Sequence, residues 1–321
     1  MSETDDMTRI SENEPLISVV IPTFNRPELL KKALNSALAQ SYENLEIIVT
    51  DDGDDESASE ICKSFNDARI KFVKNTAHKK SPNGNKNNGF DNATGEFVCL
   101  LDDDDELLPE AIKECYEILK SGEYSCVFAD AICEKDGVMT EVVAGRSPYS
   151  KSGAMSKVDY HCGRINGEYF KLFSREFIDG FRFDESSFGG ENELYIRFFE
   201  KKVFYLKKPL YIYRIARSDS ATLNAGKHAL NVANAYIKTA NLHYDIAIKH
   251  EPKFLAMQYK NAAYYAKIAG EYGLMLRCIF KSLSIKFSKE AFIFLLLSPL
   301  PSGILPALSK LRVKIKQRFG V

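Results

Sequence analysis

The sequence predicts an α/β protein: a mostly parallel sheet flanked by helices, followed by a helical C-terminal region. Three observations carry this expectation. Through the first hundred residues, apolar runs of strand length alternate with amphipathic helical stretches. The apolar run Phe97–Leu101 stops abruptly at Asp102, Asp103, Asp104, Asp105 and Glu106, and open parallel sheets place their ligands at such strand ends. From about Ala225 onward the strand pattern ceases and only helical spacing remains.

Size and composition narrow the class. A chain of 321 residues can bury one large core or two modest ones. Its 45% hydrophobic and 27% charged content are those of a soluble globular enzyme. A net charge of −1 gives no general attraction to nucleic acid. The seven cysteines (62, 99, 115, 126, 133, 162, 278) form an odd set without a CxxC pair, so they read as free thiols in a reducing compartment, with neither disulfides nor zinc. Residues 1–15, polar and acidic, read as a flexible leader with no signal peptide.

The elements follow in order. Leu16–Ile21 is a buried strand stopped by Pro22. Pro27–Gln40 is a helix whose Leu29, Leu30, Ala33, Leu34, Ala37 and Leu38, in pairs recurring every four residues, make one apolar stripe, with Pro27 suited to its first turn. Leu45–Val49 is a second strand, ending in Thr50, Asp51, Asp52 and Gly53; Ser57–Phe65 is a helix and Ile70–Val73 a short strand. Thr76–Asn92 is rich in Asn, Lys and Gly and reads in two ways. It is either a disordered hinge, or a helix opening near Asn87 whose amides and lysine would face a diphosphate.

Leu108–Ser121 is a helix, and Tyr124–Ile132 and Val138–Val143 are strands joined at Lys135-Asp136-Gly137. Arg146–Asp159, polar and rich in Gly and Ser, predicts a mobile loop before order resumes at Tyr169–Phe177. A helix is expected over Leu194–Lys201, then two short strands at Val203–Leu206 and Leu210–Tyr213. The five histidines show no HxxxH spacing and mostly read as exposed, with His161 either structural or near an acceptor. Ala291–Leu308 is strongly apolar but interrupted by Pro299, Pro301, Gly303 and Pro306, which argues against a spanning helix. It is either a last helix on the core or, with the five basic residues from Lys310 to Arg318, a stretch lying on an anionic membrane.

Carboxylates crowded at a strand end repel one another, and a divalent cation relieves that repulsion. The acidic run is therefore either a metal site for a phosphate-bearing substrate or a solvated turn. No GxGxxG or GxxxxGK[ST] follows the first strand, and the run lacks the glycine and closing glutamate of an EF-hand.

Five ordered motifs resemble the inverting family-2 glycosyltransferases, which have the GT-A fold. They are SVVIPTFNRPELLKKALNSALAQSYENLEIIVTDDG, KNNGF, GEFVCLLDDDDELLP, GGENELYIRFF and LYIYR, and the resemblance covers about residues 16–222. It implies a nucleotide-binding half over 16–105, an acceptor half over 106–222, and a helical region over 223–321. Pro22, Thr23, Phe24 and Asn25 would line the nucleotide, with Phe24 packing on the base and Asp51 or Asp52 accepting a hydrogen bond from it. Lys86 stands where the family usually has Arg, near the diphosphate, which keeps the charge but loses the bidentate fork. Asp102 and Asp104 match the DxD motif: Asp102 would reach the ribose and Asp104 would ligate Mn²⁺ or Mg²⁺. Asp103 is the variable middle position of this nucleotide-sugar set, and Asp105 either points to solvent or supports the loop.

The general base is where the chain departs from the pattern. The family has Glu-Asp before a helix at the place of Glu191-Asn192, and an amide cannot take a proton. Glu191 is the expected base and Glu193 the other candidate, unless the register is shifted by one or the protein is catalytically impaired. The resemblance implies transfer from a nucleotide-diphospho-sugar, a UDP-sugar, to a glycan or lipid-linked acceptor in surface-polysaccharide assembly. The setting would be the cytoplasm, at the inner face of the cell membrane, with 291–321 in peripheral contact. The alternative is a nucleotide-sugar-binding subunit without activity.

Overall fold

The computed structural model describes residues 14–185, 190–215 and 225–301. The chain separates into two compact units, with the change-over near residue 217.

The first unit is built on a mixed sheet. Strand β1 (Ile17–Thr23) lies between β2 (Leu45–Asp51) and β4 (Phe97–Leu100), parallel to both, and β3 (Ile70–Lys74) extends β2 in parallel. Short β5 (Glu106–Leu107), β6 (Cys126–Lys135) and β7 (Val138–Val143) follow, then the two-residue strands β8 (Gly145–Arg146), β9 (Gly153–Ala154) and β10 (Asn166–Gly167), then β11 (Tyr169–Ser174) and β12 (Val203–Ile215). The main order is β3-β2-β1-β4-β11-β6-β12-β5, and β11 enters antiparallel to both β4 and β6. Residues of β1 and β2 are buried on both faces, which is why their sequences are continuous apolar runs rather than alternating ones.

Helices cover the faces. Helix α1 (Pro27–Leu38) seats Leu30, Ala33, Leu34 and Ala37 in a core shared with Val19, Ile47, Cys99 and Leu101. Helices α2 (Ser57–Ser64) and α4 (Ala111–Leu119) join the same face. An aromatic core fills the other, where Phe128, Phe173, Phe198 and Phe199 pack among Val20, Ile48 and Val98. Helix α3 (Pro82–Asn92) settles the two readings of the Asn-rich segment in favour of a helix, longer than expected and buried along nearly its whole length.

What buries a polar helix is its hydrogen bonding. Asn85 accepts from Thr50 Oγ1 at 2.7 Å and donates to the Thr23 carbonyl at 2.9 Å. Asn88 donates to the Thr50 hydroxyl at 2.7 Å, and Asn87 exchanges two bonds with the Phe183 backbone at 3.0 and 2.8 Å. Buried polar groups cost little when every one is satisfied. Gly89 is needed because a Cβ there would stand 2.2 Å from Val20 Cγ1, so α3 rests directly on β1.

Four expectations are corrected. Arg146–Asp159 is ordered: β9 pairs with β12, and Ser156 caps the short helix α5 (Lys157–His161). The two strands expected near 203 and 210 are one strand, irregular around Pro209, where the missing N–H interrupts the ladder. The helix expected from Leu194 begins earlier, as α6 (Asn192–Phe198). The histidines are not mainly exposed: His161 and His243 are buried, and His78 bridges Glu185 at 2.5 Å and Asp91 at 2.6 Å.

The second unit is helical over its described residues: α7 (Ala229–His250), α8 (Pro252–Ile268), α9 (Tyr272–Ile285) and α10 (Lys289–Leu296). Alanines 233, 262, 263 and 266 let the helices approach around Met275 and Ile279. Of the apolar and basic tail expectation, residues 302–321 lie outside the described residues. No described helix is long and apolar enough to cross a membrane.

Candidate active site

The carboxyl ends of β1, β2 and β4 bring the sequence-predicted residues to one edge of the sheet. At the end of β1, Thr23 is buried, its hydroxyl donating to Asp103 at 2.8 Å, while the Phe24 ring is 52% exposed and free to pack on a planar ligand. Asn25 adopts a left-handed conformation, φ 52°, which turns the chain from β1 toward α1. Pro22 pairs in register with Thr50.

Asp51 and Asp52 end β2 and are both buried. Asp51 accepts from the Gly53 amide at 2.7 Å and pairs with Lys74 at 2.7 Å. Asp52 accepts from Asn75 at 2.6 Å; burial pushes its carboxyl above the usual range, against the pull of that hydrogen bond. A Cβ on Gly53 would come within 2.8 Å of the side-chain oxygens of Asn25 and Asp51, so a larger residue there would have to displace them.

The acidic run alternates. Asp103 and Asp105 are buried, whereas Asp102 and Asp104 are partly exposed. Asp103 is clamped by Thr23 and by Arg26 at 3.1 Å, and burial pushes its carboxyl up to about 6. Asp105 is also raised by burial and by its acidic neighbours; it accepts from the Tyr211 hydroxyl at 2.7 Å and the Arg214 amide at 2.9 Å. It supports the loop rather than pointing to solvent. Arg214 completes the clamp, donating to the Asp104 carbonyl at 2.8 Å and pairing with Glu106 and Glu134.

Asp102, Asp104 and Asp105 present oxygens within 4.8 Å of one another, a hard oxygen set suited to a cation such as Mg²⁺ or Mn²⁺. The Arg26 guanidinium, 3.5 Å from Asp104, already balances part of this charge. Arg26 escaped the sequence reading, although its place just past the β1 end was a usable signal.

Lys86 projects from α3 into the same region, nearly buried, 2.7 Å from Glu191 and 3.7 Å from Asp102. Burial works against its charge, but Asp102 and Glu191 together hold its amine above the ordinary lysine range. The Lys86 charge in turn holds the Glu191 carboxyl down at about 2. Asn192 turns to the protein instead, accepting from the buried Tyr160 hydroxyl at 3.0 Å. Glu193 lies in the first turn of α6, where the helix dipole favours a carboxylate. Beneath α6, the buried Lys171 amine stands 4.3 Å from the Tyr195 ring centroid and donates to the Tyr169 carbonyl at 2.9 Å. Neither Tyr160 nor Lys171 was singled out by the sequence, since both sit in segments that read as ordinary core or loop.

This sheet order, with an acidic turn and a paired lysine and glutamate at its carboxyl edge, defines a glycosyltransferase of GT-A fold. The profile of Glycosyl transferase family 2 matches residues 18–181, and the chain belongs to that family. It is 40% identical over 307 residues to the GalNAc(5)-diNAcBac-PP-undecaprenol β-1,3-glucosyltransferase of Campylobacter jejuni, covering 94% of this chain and 99% of that one. A shorter match, 30% identical over 142 residues, joins it to the Escherichia coli UDP-Glc:α-D-GlcNAc-diphosphoundecaprenol β-1,3-glucosyltransferase WfaP, covering 44% of this chain and 56% of that one. Among solved structures, Staphylococcus aureus TarS 1–349 in complex with UDP-GlcNAc superimposes with a TM-score of 0.62 at 16% identity, over 84% of this chain and 81% of that one. At that identity the likeness concerns the fold.

Proposed function

We propose that this glycosyltransferase moves a sugar, with inversion, from a nucleotide-diphospho-sugar to a hydroxyl of a lipid-linked glycan in the assembly of a surface polysaccharide. The observation that carries the proposal is the convergence of Lys86, Asp102 and Glu191 beside the acidic turn, with Glu191 2.7 Å and Asp102 3.7 Å from one amine. The relatives from Campylobacter jejuni and Escherichia coli are named for glucosyl transfer to undecaprenol-linked acceptors, which supports a UDP-hexose donor and a lipid-linked acceptor here.

In this reading the nucleotide half is 16–105 and the acceptor half 106–222. Phe24 packs on the base, Asp51 or Asp52 meets its edge, and Asp102 reaches the ribose. Asp102 and Asp104, with Asp105 behind them, would hold Mn²⁺ or Mg²⁺, which when bound neutralises charge on a diphosphate. Lys86 meets the diphosphate from the α3 side. Glu191 takes the proton from the acceptor hydroxyl, and the deprotonated oxygen attacks the anomeric carbon from the face opposite the leaving group. A diphosphate that competes for Lys86 loosens its hold on Glu191, and a carboxylate relieved of that charge is the better base. Asn192, tied to Tyr160, plays a structural part, so its amide is no obstacle to activity. Residues 291–321 are proposed to bring the enzyme to the membrane that holds the acceptor.

The test is a panel of sugar nucleotides with Mn²⁺ and undecaprenyl-diphosphate-linked glycans, read by release of nucleoside diphosphate and by mass of the product. Transfer from one donor supports the reading. Donor binding without turnover on every acceptor offered would return the protein to the role of a binding subunit.

A further inference from the structure

Helices α9 and α10 leave an apolar face uncovered. On α9, Tyr272, Leu276 and Phe280 follow one another at intervals of four residues and are 50, 40 and 57% exposed. Residues four apart share one side of a helix. The stripe leads to Phe287, 62% exposed, whose ring centroid lies 5.9 Å from that of Phe292 on α10. Phe292, Ile293 and Leu296 then continue the exposed apolar surface along α10.

These residues do not face outward for want of a core. Met275, Cys278 and Ile279 of α9 and Ala291 of α10 fill the helical core beneath. The buried Lys267 amine fixes the end of α10 by donating to the Leu297 and Ser298 carbonyls at 3.1 and 2.9 Å. The exposed stripe is thus a second, preformed surface, and apolar patches of this kind on a folded unit mark a binding partner.

The charges around it select the partner. From Glu271 to Pro301 the chain carries four basic residues, Arg277, Lys281, Lys286 and Lys289, all exposed, against two acids, Glu271 and Glu290. Beyond Pro301 the sequence repeats the combination, with five basic residues from Lys310 to Arg318 interleaved with Leu311, Val313 and Ile315. An apolar stripe bordered by lysines and arginines fits a bilayer interface bearing anionic headgroups better than it fits a second copy of itself, whose basic border would repel.

We propose that the face formed by Tyr272, Leu276, Phe280, Phe287, Phe292 and Leu296 docks the protein on an anionic bilayer, inserting its aromatic and leucine side chains among the headgroups. The inference deepens the lipid-linked acceptor reading, yet its test needs neither donor nor acceptor, so the two can fail separately.

Full-length protein is floated with vesicles of phosphatidylcholine alone and of phosphatidylcholine with about 30% phosphatidylglycerol. Binding is expected to the anionic vesicles and to weaken with salt. The paired substitutions L276D/F280D on α9 and F292D/L296D on α10 are each expected to lower the partition about tenfold or more, as lost apolar burial and added repulsion predict. Because all four positions are exposed, melting temperature should stay near wild type, and either pair suffices if the other misfolds. Unchanged partition in the folded variants, or no vesicle binding by the wild type, overturns the proposal. So does a wild-type dimer that L276D/F280D splits without any vesicle binding, which would assign the face to a second copy.

Discussion

Lys86 Nζ stands 2.7 Å from Glu191 Oε1, joining the Asn-rich helix α3 to the start of α6, 105 residues further along the chain. The pair couples the side chain proposed to meet the diphosphate with the one proposed to take the acceptor proton.

Glu191→Gln keeps the size of the side chain and a hydrogen-bonding oxygen for Lys86, but removes the base. Transfer is expected to fall by about 10²–10⁴-fold, the usual worth of a general base. Nucleotide binding, followed by calorimetry, should remain. With Lys86 as its principal partner the Glu191 carboxyl is held at about 2, so it stays ionised across the neutral range in the free protein. Turnover equal to wild type would remove Glu191 from the mechanism.

Asp104→Asn tests the acidic turn. The substitution is isosteric and leaves the Asp103 and Asp105 clamps in place, so the loop should keep its shape. Manganese affinity, read by the loss of free-ion signal in electron paramagnetic resonance, is expected to drop about tenfold or more when one hard anionic ligand is lost. Sugar-nucleotide affinity measured with Mn²⁺ present should fall with it. Unaltered affinity for both would refute a cation site at this turn.

Much of the fold was open to reading in the sequence because its strands are apolar on both faces and its first helix has a single stripe. The alternation of β1, α1, β2, α2 and β3 needed only periodicity, and the acidic strand end needed only its position. Helix α3 was ambiguous for a physical reason: its buried side is made of asparagine amides and glycine, so no apolar pattern announces it. What holds it down, the Thr23, Thr50 and Phe183 partners, comes from three distant segments. The 146–159 stretch failed for a related reason, since the order of β9 comes from pairing with β12, about fifty residues away. Arg26 and Arg214 act as clamps on the acidic turn; the place of Arg26 just past β1 was its one signal in the sequence, and the role of Arg214 is visible only once β12 and that turn are neighbours.

Away from the site, Glu46 gives a pH-dependent handle on stability. It is buried at the start of β2 and accepts from Ser18 at 2.5 Å, from the Thr94 amide and hydroxyl at 2.6 and 2.9 Å, and from Lys71. Burial raises its carboxyl, but these donors outweigh burial and hold it at about 2. A depressed carboxylate contributes stability that is fully present above the unfolded value, about 4.3, and is lost as pH falls toward the folded one. Glu46→Gln is therefore expected to cost on the order of 2–3 kcal/mol at pH 7 and much less near pH 2. Urea unfolding at several pH values decides it: a penalty independent of pH would mean that packing, not charge, is what the glutamate supplies.

Gly89→Ala tests the seat of α3. In an exposed helix interior this change would stabilise by roughly 0.5–1 kcal/mol, because alanine is the better helix former. Here the added carbon would stand 2.2 Å from Val20 Cγ1 and 3.3 Å from Thr50 Cγ2, at the middle of the polar core that fixes the helix. The helix must lift, and the expected outcome is a loss of about 1–3 kcal/mol, as for other overpacked cores. Lifting α3 also moves Lys86, three residues earlier on the same helix, away from Asp102 and Glu191. Sugar-nucleotide affinity should accordingly weaken in the fraction that remains folded, measured by calorimetry below the melting transition. A variant that is more stable than wild type and binds donor unchanged would show that α3 does not rest on β1 as described.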